Sequence, residues 1–359
     1  MEYYVGATIV SMLIAWGIKK VFGFEKHKML KMLISLLPLT VISAFRYNVG
    51  WDYGSYSEAY SNYIVFGDLY FDEVGFKAIV RLLASFTDDP TVLFAFFSLM
   101  TSVFFSLCFK YYGSNKHAVQ YILLFFMTRF FFCSLNIMRQ ALAMVMSVYA
   151  FHFIIRERTK WNYAKFVVII LLAASIHKLA LIFIPLSFIL TVDFKKLLSN
   201  VGLLLGIVAV LAVLVVFLVN SGYLAYFYSM FGNDGSMAVS ELCICVLILT
   251  LGGLNYAKLV ESKQNILFYN LEIIGLIACL ASPFIPTPDR IIWYFVAVPS
   301  IFLIPQIINK YNRKLLLIPA FMIYLFLGIV VYNQAIATDS YDIVPYESVL
   351  NVDGFGVGV

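Results

Sequence analysis

The sequence predicts an all-α fold, a polytopic membrane protein of about twelve transmembrane helices with both termini outside, and three observations carry that prediction. The chain of 359 residues is 62% hydrophobic and only 13% charged. A soluble domain carries roughly 25% charged residues, so this chain cannot cover a water-facing surface. Apolar runs long enough to cross a bilayer recur along it, and the Lys and Arg residues gather in alternate connections between them. Mean hydropathy is +0.91.

The runs lie near residues 3–18, 29–45, 90–109, 118–133, 139–155, 163–176, 179–193, 201–219, 240–256, 266–283, 290–308 and 315–336. The first begins almost at Met1 without a basic leader, so it reads as a span and not as a cleavable signal. The pair flanking His177 is short and fits either two spans or one re-entrant hairpin. Five cysteines, Cys108, Cys133, Cys243, Cys245 and Cys279, all fall in apolar runs without metal or disulfide spacing. They read as small buried hydrophobes, and no metal or other cofactor is expected. Nothing resembles a nucleotide-binding glycine loop, and no nucleic-acid partner is expected.

The basic residues orient the chain. One set of connections holds Lys19, Lys20, Lys26, Lys28 and Lys31, then Lys110 and Lys116, then Arg156, Arg158, Lys160 and Lys165. It continues with Lys195 and Lys196, Lys258 and Lys263, and Lys310, Arg313 and Lys314. The alternate set holds only Arg46, Lys77, Arg81, Arg129, Arg139, Lys178 and Arg290 of the 25 Lys and Arg residues. The positive-inside rule puts the first set in the cytoplasm. An even number of spans then leaves both termini outside.

On this topology the whole chain, 1–359, is a single integral membrane domain with a first outer loop at 46–89, a second at 220–239 and an outer tail at 337–359. Within the first loop, EVGFKAIVRLLASF has Val74, Phe76, Ile79, Val80, Leu82 and Leu83 at helical spacing. Such a segment suits an amphipathic helix lying in the interface. The second loop is rich in Tyr, a residue at home at headgroup level.

Four polar clusters sit at outer ends of membrane segments. They are Arg46 with Asp52 and Tyr53; Asn136, Arg139 and Gln140 in NIMRQALA; Ser175, His177 and Lys178 in ASIHKLAL; and Asp289, Arg290 and Trp293 in PTPDRIIWYF. Each has a plain structural explanation. Arg139 and Arg290 can snorkel to lipid phosphates, Asp52 can pair with Arg46, His177 can end a helix, and Asp289 can cap one. Yet ionisable groups against a bilayer are costly, and the outward arginines run against the charge rule. Together, guanidinium forks match phosphate oxygens, a carboxylate or imidazole can take a hydroxyl proton, and aromatic faces suit sugars.

At these residues the sequence resembles the EpsG family of Wzy-like bacterial exopolysaccharide and O-antigen polymerases. The resemblance rests on FRYNVGWDYGSY, the downstream EVGF, NIMRQALA, ASIHKLAL, the Asp-Arg before a late segment, and IVPYES near the end. These occur in the expected order over nearly the whole chain. Trp51, before Asp52, departs from the pattern, which leads one to expect a smaller polar residue there.

The resemblance implies a metal-independent glycosyltransferase of the bacterial cytoplasmic membrane, working on its outer face. It would transfer a glycan from undecaprenyl diphosphate onto the non-reducing sugar of another lipid-linked repeat unit. Arg139 and Arg290 would stabilise the leaving diphosphate, and Asp52 or His177 would act as base; the choice stays open. Arg46, Trp51, Tyr53, Tyr56, Gln140, Lys178 and Asp289 would line the substrate site. Membrane lipids, a chain-length regulator and a flippase are the expected partners. An O-antigen ligase would use the same donor with a different acceptor. A polysaccharide transporter would instead place ionisable residues through the depth of the bundle and show repeat-related halves.

Overall fold

The computed structural model describes residues 1–193, 238–254, 256–285, 287–310, 313–333, 339 and 341–350. Regular structure among them is helical, and the extended contact is an isolated antiparallel bridge between Arg46 and Ser348. The expected span at 201–219 lies outside the described residues, as do nearly all of the second outer loop and the end of the tail. The chain divides into two compact units. The first comprises Met1–Tyr149, Leu171–Lys178 and Gly328–Val359; the second comprises Ala150–Ile170 and Leu179–Leu327.

The first unit opens with α1 (Glu2–Val21) and α2 (Lys28–Ala44), which carries Pro38. Helices α3 (Tyr53–Phe66) and α4 (Val74–Ala84) occupy the first outer loop, and α5 (Thr91–Tyr112) follows. Helix α2 packs against α1 and α5. Hydroxyl pairs tie α2 to α5, Thr40 with Ser102 at 2.7 Å and Ser43 with Ser98 at 2.6 Å. Such interhelical bonds are a common device where lipid offers no hydrogen-bonding partner.

Helix α3 is absent from the expectations above, although its spacing is helical. Tyr53, Tyr56, Ala59 and Tyr60 recur at three and four residues and form its buried face. The amphipathic α4 does form: Phe76 and Val80 are buried one turn apart, while Val74 and Leu82 stay exposed.

The expected span at 118–133 is two helices, α6 (Ala118–Met127) and α7 (Phe130–Asn136), bent by 48° at their junction. Arg129 adopts a left-handed conformation at φ 65°, which interrupts the helical ladder. Helix α8 (Met138–Arg156) runs from the first unit into the second, and α9 (Lys160–Ile176) returns to the first.

After His177 comes a short 3-10 turn at Lys178–Ile182 and then α10 (Phe183–Leu190). The second unit continues with α11 (Val239–Leu254), the short α12 (Tyr256–Leu259), α13 (Lys263–Ala281), α14 (Pro288–Lys310) and α15 (Arg313–Tyr332), whose end lies in the first unit. Asn270 on α13 donates to the carbonyls of Leu190 (3.0 Å) and Val192 (2.8 Å), satisfying backbone acceptors that the end of α10 leaves open. Fully buried Glu272 on α13 accepts a 2.6 Å hydrogen bond from Ser300 on α14.

Among the described residues five helices are long and apolar enough to cross a membrane: α1, α5, α8, α14, and α13 with the turn that follows it. The bent pair α6–α7 makes a sixth if it counts as one span. Apart from 201–219, the remaining expected spans fall on shorter or partly described helices, among them α2 and α9 at 17 residues and α11 at 16.

Candidate functional site

The stretch after α2 is held against the α7–α8 junction by bonds its own sequence requires. Gly50 has φ 99°, and a Cβ there would lie 3.0 Å from the Leu135 carbonyl oxygen and 3.3 Å from Asn136 Oδ1. Only glycine accepts both that conformation and that approach. The next amide, of Trp51, donates to Asn136 Oδ1 at 2.6 Å, and Asn136 Nδ2 donates to the Phe132 carbonyl at 3.2 Å. Asn136 of the NIMRQALA segment thus receives the WDY segment some eighty-five residues away.

Arg46 is 1% exposed. Its Nη1 donates to the Ser43 carbonyl, its Nη2 to the Leu135 carbonyl at 3.0 Å, and the guanidinium lies over the Phe94 ring at 4.6 Å. Burial pushes its pKa down to about 10, partly offset by Tyr53 and Tyr4, so it stays charged at neutral pH. The Tyr53 ring stacks on Phe94 at 4.4 Å, and burial raises its pKa while Arg46 lowers it.

The C-terminal IVPYES segment lies along the same stretch. Tyr47 donates its amide to the Glu347 carbonyl and Val349 to the Phe45 carbonyl, each at 3.0 Å. Gly50 N–H reaches the Asp342 carbonyl at 2.6 Å, and the Tyr346 hydroxyl reaches the Ile42 carbonyl at 3.0 Å. These residues strap the chain's end across the segment that begins at Phe45.

The EVGF segment joins two further clusters. Glu73 precedes α4, and its Oε2 lies 2.7 Å from Arg139 Nη1, with side-chain exposures of 15% and 11%. Arg139 Nε donates to the Tyr56 hydroxyl at 3.4 Å, and the guanidinium lies near the rings of Phe71 (4.2 Å), Phe76 (4.9 Å) and Tyr56 (5.6 Å). Arg139 Nη2 makes no hydrogen bond among the described residues. Two residues beyond Glu73, Gly75 packs on Ser175: a Cβ there would come within 2.8 Å of the Ser175 carbonyl oxygen. Lys178 Nζ is 3.6 Å from exposed Asp72.

Arg46, Trp51, Asp52, Tyr53, Tyr56, Arg139, Gln140, His177 and Lys178 therefore all belong to the first unit. They differ in what they offer to a ligand. Trp51 is 68% exposed, whereas Tyr53 and Tyr56 are 7% and 4% exposed with ring faces taken by Phe94 and Phe71. Asp52 is half-buried at the N-cap of α3, and its carboxylate makes no capping bond there. Gln140 and His177 are buried and Lys178 is exposed.

Asp289 and Arg290 belong to the second unit, at the start of α14. Asp289 lies in the first turn and not at the cap, because the helix begins at Pro288; it still sits where the helix dipole favours a carboxylate. Arg290 is half-buried. One turn on, Trp293 Nε1 donates to Glu241 Oε1 at 3.3 Å, and Ser240 donates to Glu241 Oε2 at 2.6 Å.

Two carboxylates were missed by sequence reasoning. Glu73 stands within EVGF, a segment that gave the apolar period of α4 and part of the family resemblance but no partner for its carboxylate. Glu241 heads an apolar run, and a carboxylate 4% exposed in that setting was itself a signal.

A sequence model of the EpsG family matches residues 29–348. No curated protein and no solved structure matches the chain.

Proposed function

The chain belongs to the EpsG family over nearly its whole length, and from that premise we propose that it is a Wzy-like polysaccharide polymerase of the bacterial cytoplasmic membrane. One observation supports the reading above the others. Five short segments scattered from residue 45 to residue 348 are joined by direct contacts in the first unit: Trp51 to Asn136, Glu73 to Arg139, Gly75 to Ser175, and Tyr47 to Glu347. A bundle needing only hydrophobic packing has no use for such polar junctions, which cost desolvation.

The topology proposed with this function has about twelve spans, both termini outside and the site facing outward. Helix α4 lies in the outer interface through Val74, Leu82 and nearby Phe86, all exposed and apolar.

The reaction is displacement at the anomeric carbon of a glycan carried on undecaprenyl diphosphate. The bond from that carbon to the diphosphate oxygen breaks, and a bond forms to a hydroxyl oxygen on the non-reducing sugar of a second lipid-linked unit. The hydroxyl proton passes to a base, Asp52 or His177, and undecaprenyl diphosphate leaves. Arg139, whose Nη2 makes no hydrogen bond among the described residues, stabilises the charge that develops on the leaving group, and Arg290 is assigned the same role from the family motif alone. Glu73 and Tyr56 fix the Arg139 guanidinium plane, so it is positioned before substrate arrives.

Arg46 acts as a brace, since it is buried and each Nη donates to a backbone carbonyl. Trp51 is the exposed ring suited to a sugar face. Gln140 and Lys178 are further proposed substrate-binding residues of the first unit, and Asp289 is assigned to substrate from the family motif alone.

The test is reconstitution of purified protein in proteoliposomes with lipid-linked repeat units as both donor and acceptor. A ladder of lengthening glycans with release of undecaprenyl diphosphate supports a polymerase. Transfer only to an added lipid A-core acceptor would make it a ligase, and translocation of intact donor without bond formation would make it a transporter.

A further inference from the structure

Away from the residues assigned to catalysis, the second unit carries an open groove of about 340 Å³ at the turn between α8 and α9. Its lining is mostly apolar. Ile154 is 3% exposed, and the rings of Tyr163 and Phe188 stand 5.7 Å apart, Phe188 being 57% exposed. Arg158 and Lys160 also line it, both exposed. Between them Thr159 accepts the Asn162 amide at 3.1 Å, so the first turn of α9 opens on the groove with its positive dipole end.

Three features put this groove at a bilayer edge. Helix α8, a candidate span, ends at Arg156, between the lining residues Ile154 and Arg158. Trp161, one residue beyond Lys160, is 80% exposed, as a ring anchored at headgroup level would be. Arg156, Arg158, Lys160 and Lys165 crowd around the end of α8 and the first turns of α9, the pattern of a face that meets anionic lipid. Glu157 is the carboxylate of the turn; it is exposed and does not line the groove.

We propose that this groove binds an anionic glycerophospholipid, with an acyl chain against Ile154, Tyr163 and Phe188 and the headgroup phosphate held by Arg158 and Lys160. An apolar slot rimmed by two cations fits an amphiphile with a negative head. A free phosphate has nothing to place in the slot, and a zwitterionic lipid gains less from the rim. The proposal is independent of the glycosyl-transfer reading.

The test is native mass spectrometry of the full chain, purified in detergent and titrated with dioleoyl phosphatidylglycerol, dioleoyl phosphatidylcholine or glycerol 3-phosphate. Phosphatidylglycerol is expected to remain bound at activation energies that strip phosphatidylcholine, and glycerol 3-phosphate is expected not to compete. Removing both cations, Arg158→Gln with Lys160→Gln, is expected to weaken binding roughly thirtyfold. Phe188→Ala should weaken it without changing charge. Lys165→Gln removes a neighbouring charge that does not line the groove and should leave binding as it was. Equal losses from Lys165→Gln and the double variant would mean diffuse surface attraction and overturn the proposal. So would competition by glycerol 3-phosphate, or equal retention of phosphatidylcholine.

Discussion

Arg139 Nη1 and Glu73 Oε2 lie 2.7 Å apart across sixty-six residues of sequence, and the pair links the start of α8 to the segment that begins α4. Both side chains are largely buried, so the pair is not a surface ornament. Removing one member of a buried pair typically costs about 3–5 kcal/mol, because the other charge is stranded. Glu73→Gln, which keeps a hydrogen-bonding oxygen, should cost less than Glu73→Ala in thermal unfolding of the purified protein. Arg139→Lys should restore folded abundance and fail to restore polymer length in a deletion strain, since a point charge cannot hold Glu73 and an anion together. Full-length polymer from Arg139→Lys would leave Arg139 a structural residue only.

Gly75 and Gly54 give opposite outcomes from the same substitution. Gly75→Ala drives a Cβ into the Ser175 backbone, which cannot rotate away, and should destabilise by about 1–3 kcal/mol. Gly54→Ala meets nothing within 4 Å and should be neutral or stabilising. Melting curves of the two variants check this. Equal melting points would mean that α4 does not pack on the end of α9 as described.

The C-terminal strap should matter to folding as well as to activity. A chain ending at residue 340 loses the acceptors for the Tyr47 and Gly50 amides, and should show reduced membrane abundance. Tyr346→Phe removes the hydroxyl that donates to the Ile42 carbonyl and also meets the Ser348 side chain, and should cost about 0.5–1.5 kcal/mol per bond lost. Quantitative immunoblots of membranes, with unfolding curves for the milder variant, measure both.

The base assignment is tested with purified protein and lipid-linked repeats. Asp52→Asn and His177→Gln keep polar side chains of similar reach but alter basicity. Loss of the true base should lower turnover by about 10²–10⁴ while acceptor binding survives. Near-normal turnover in both variants would sink the mechanism. Collapse of both with binding intact would make them a coupled pair.

The outward site predicts the labelling pattern of single cysteines. In a background with exposed Cys243 replaced by Ser, Ser61→Cys on α3 should react with an impermeant thiol reagent applied outside. Lys263→Cys, in a connection assigned to the cytoplasm, should react only after the membrane is opened. The reverse pattern would invert the topology and remove the outward site.

What the sequence determined by itself were properties that sum along the chain. Low charge and long apolar runs made it a helical membrane protein, because lipid offers backbone groups no partner outside the helix. The family motifs were legible because each is local, and the helical face of α4 because its period is short. Even α3 was encoded, in the spacing of Tyr53, Tyr56 and Tyr60, but its aromatic content masked the period.

Only the tertiary structure decided what each polar residue does. Nothing local distinguishes Arg46, buried with each Nη donating to a backbone carbonyl, from Arg139, which pairs with Glu73 through Nη1 and whose Nη2 makes no hydrogen bond among the described residues. Nor does the sequence around Trp51, Tyr53 and Tyr56 say which side chain is exposed. That depends on Phe94 and Phe71, which reach them from elsewhere in the chain. The physical reason is that hydrogen-bond partners and ring faces are assigned by long-range packing, whereas hydropathy and helical period are properties of neighbouring residues.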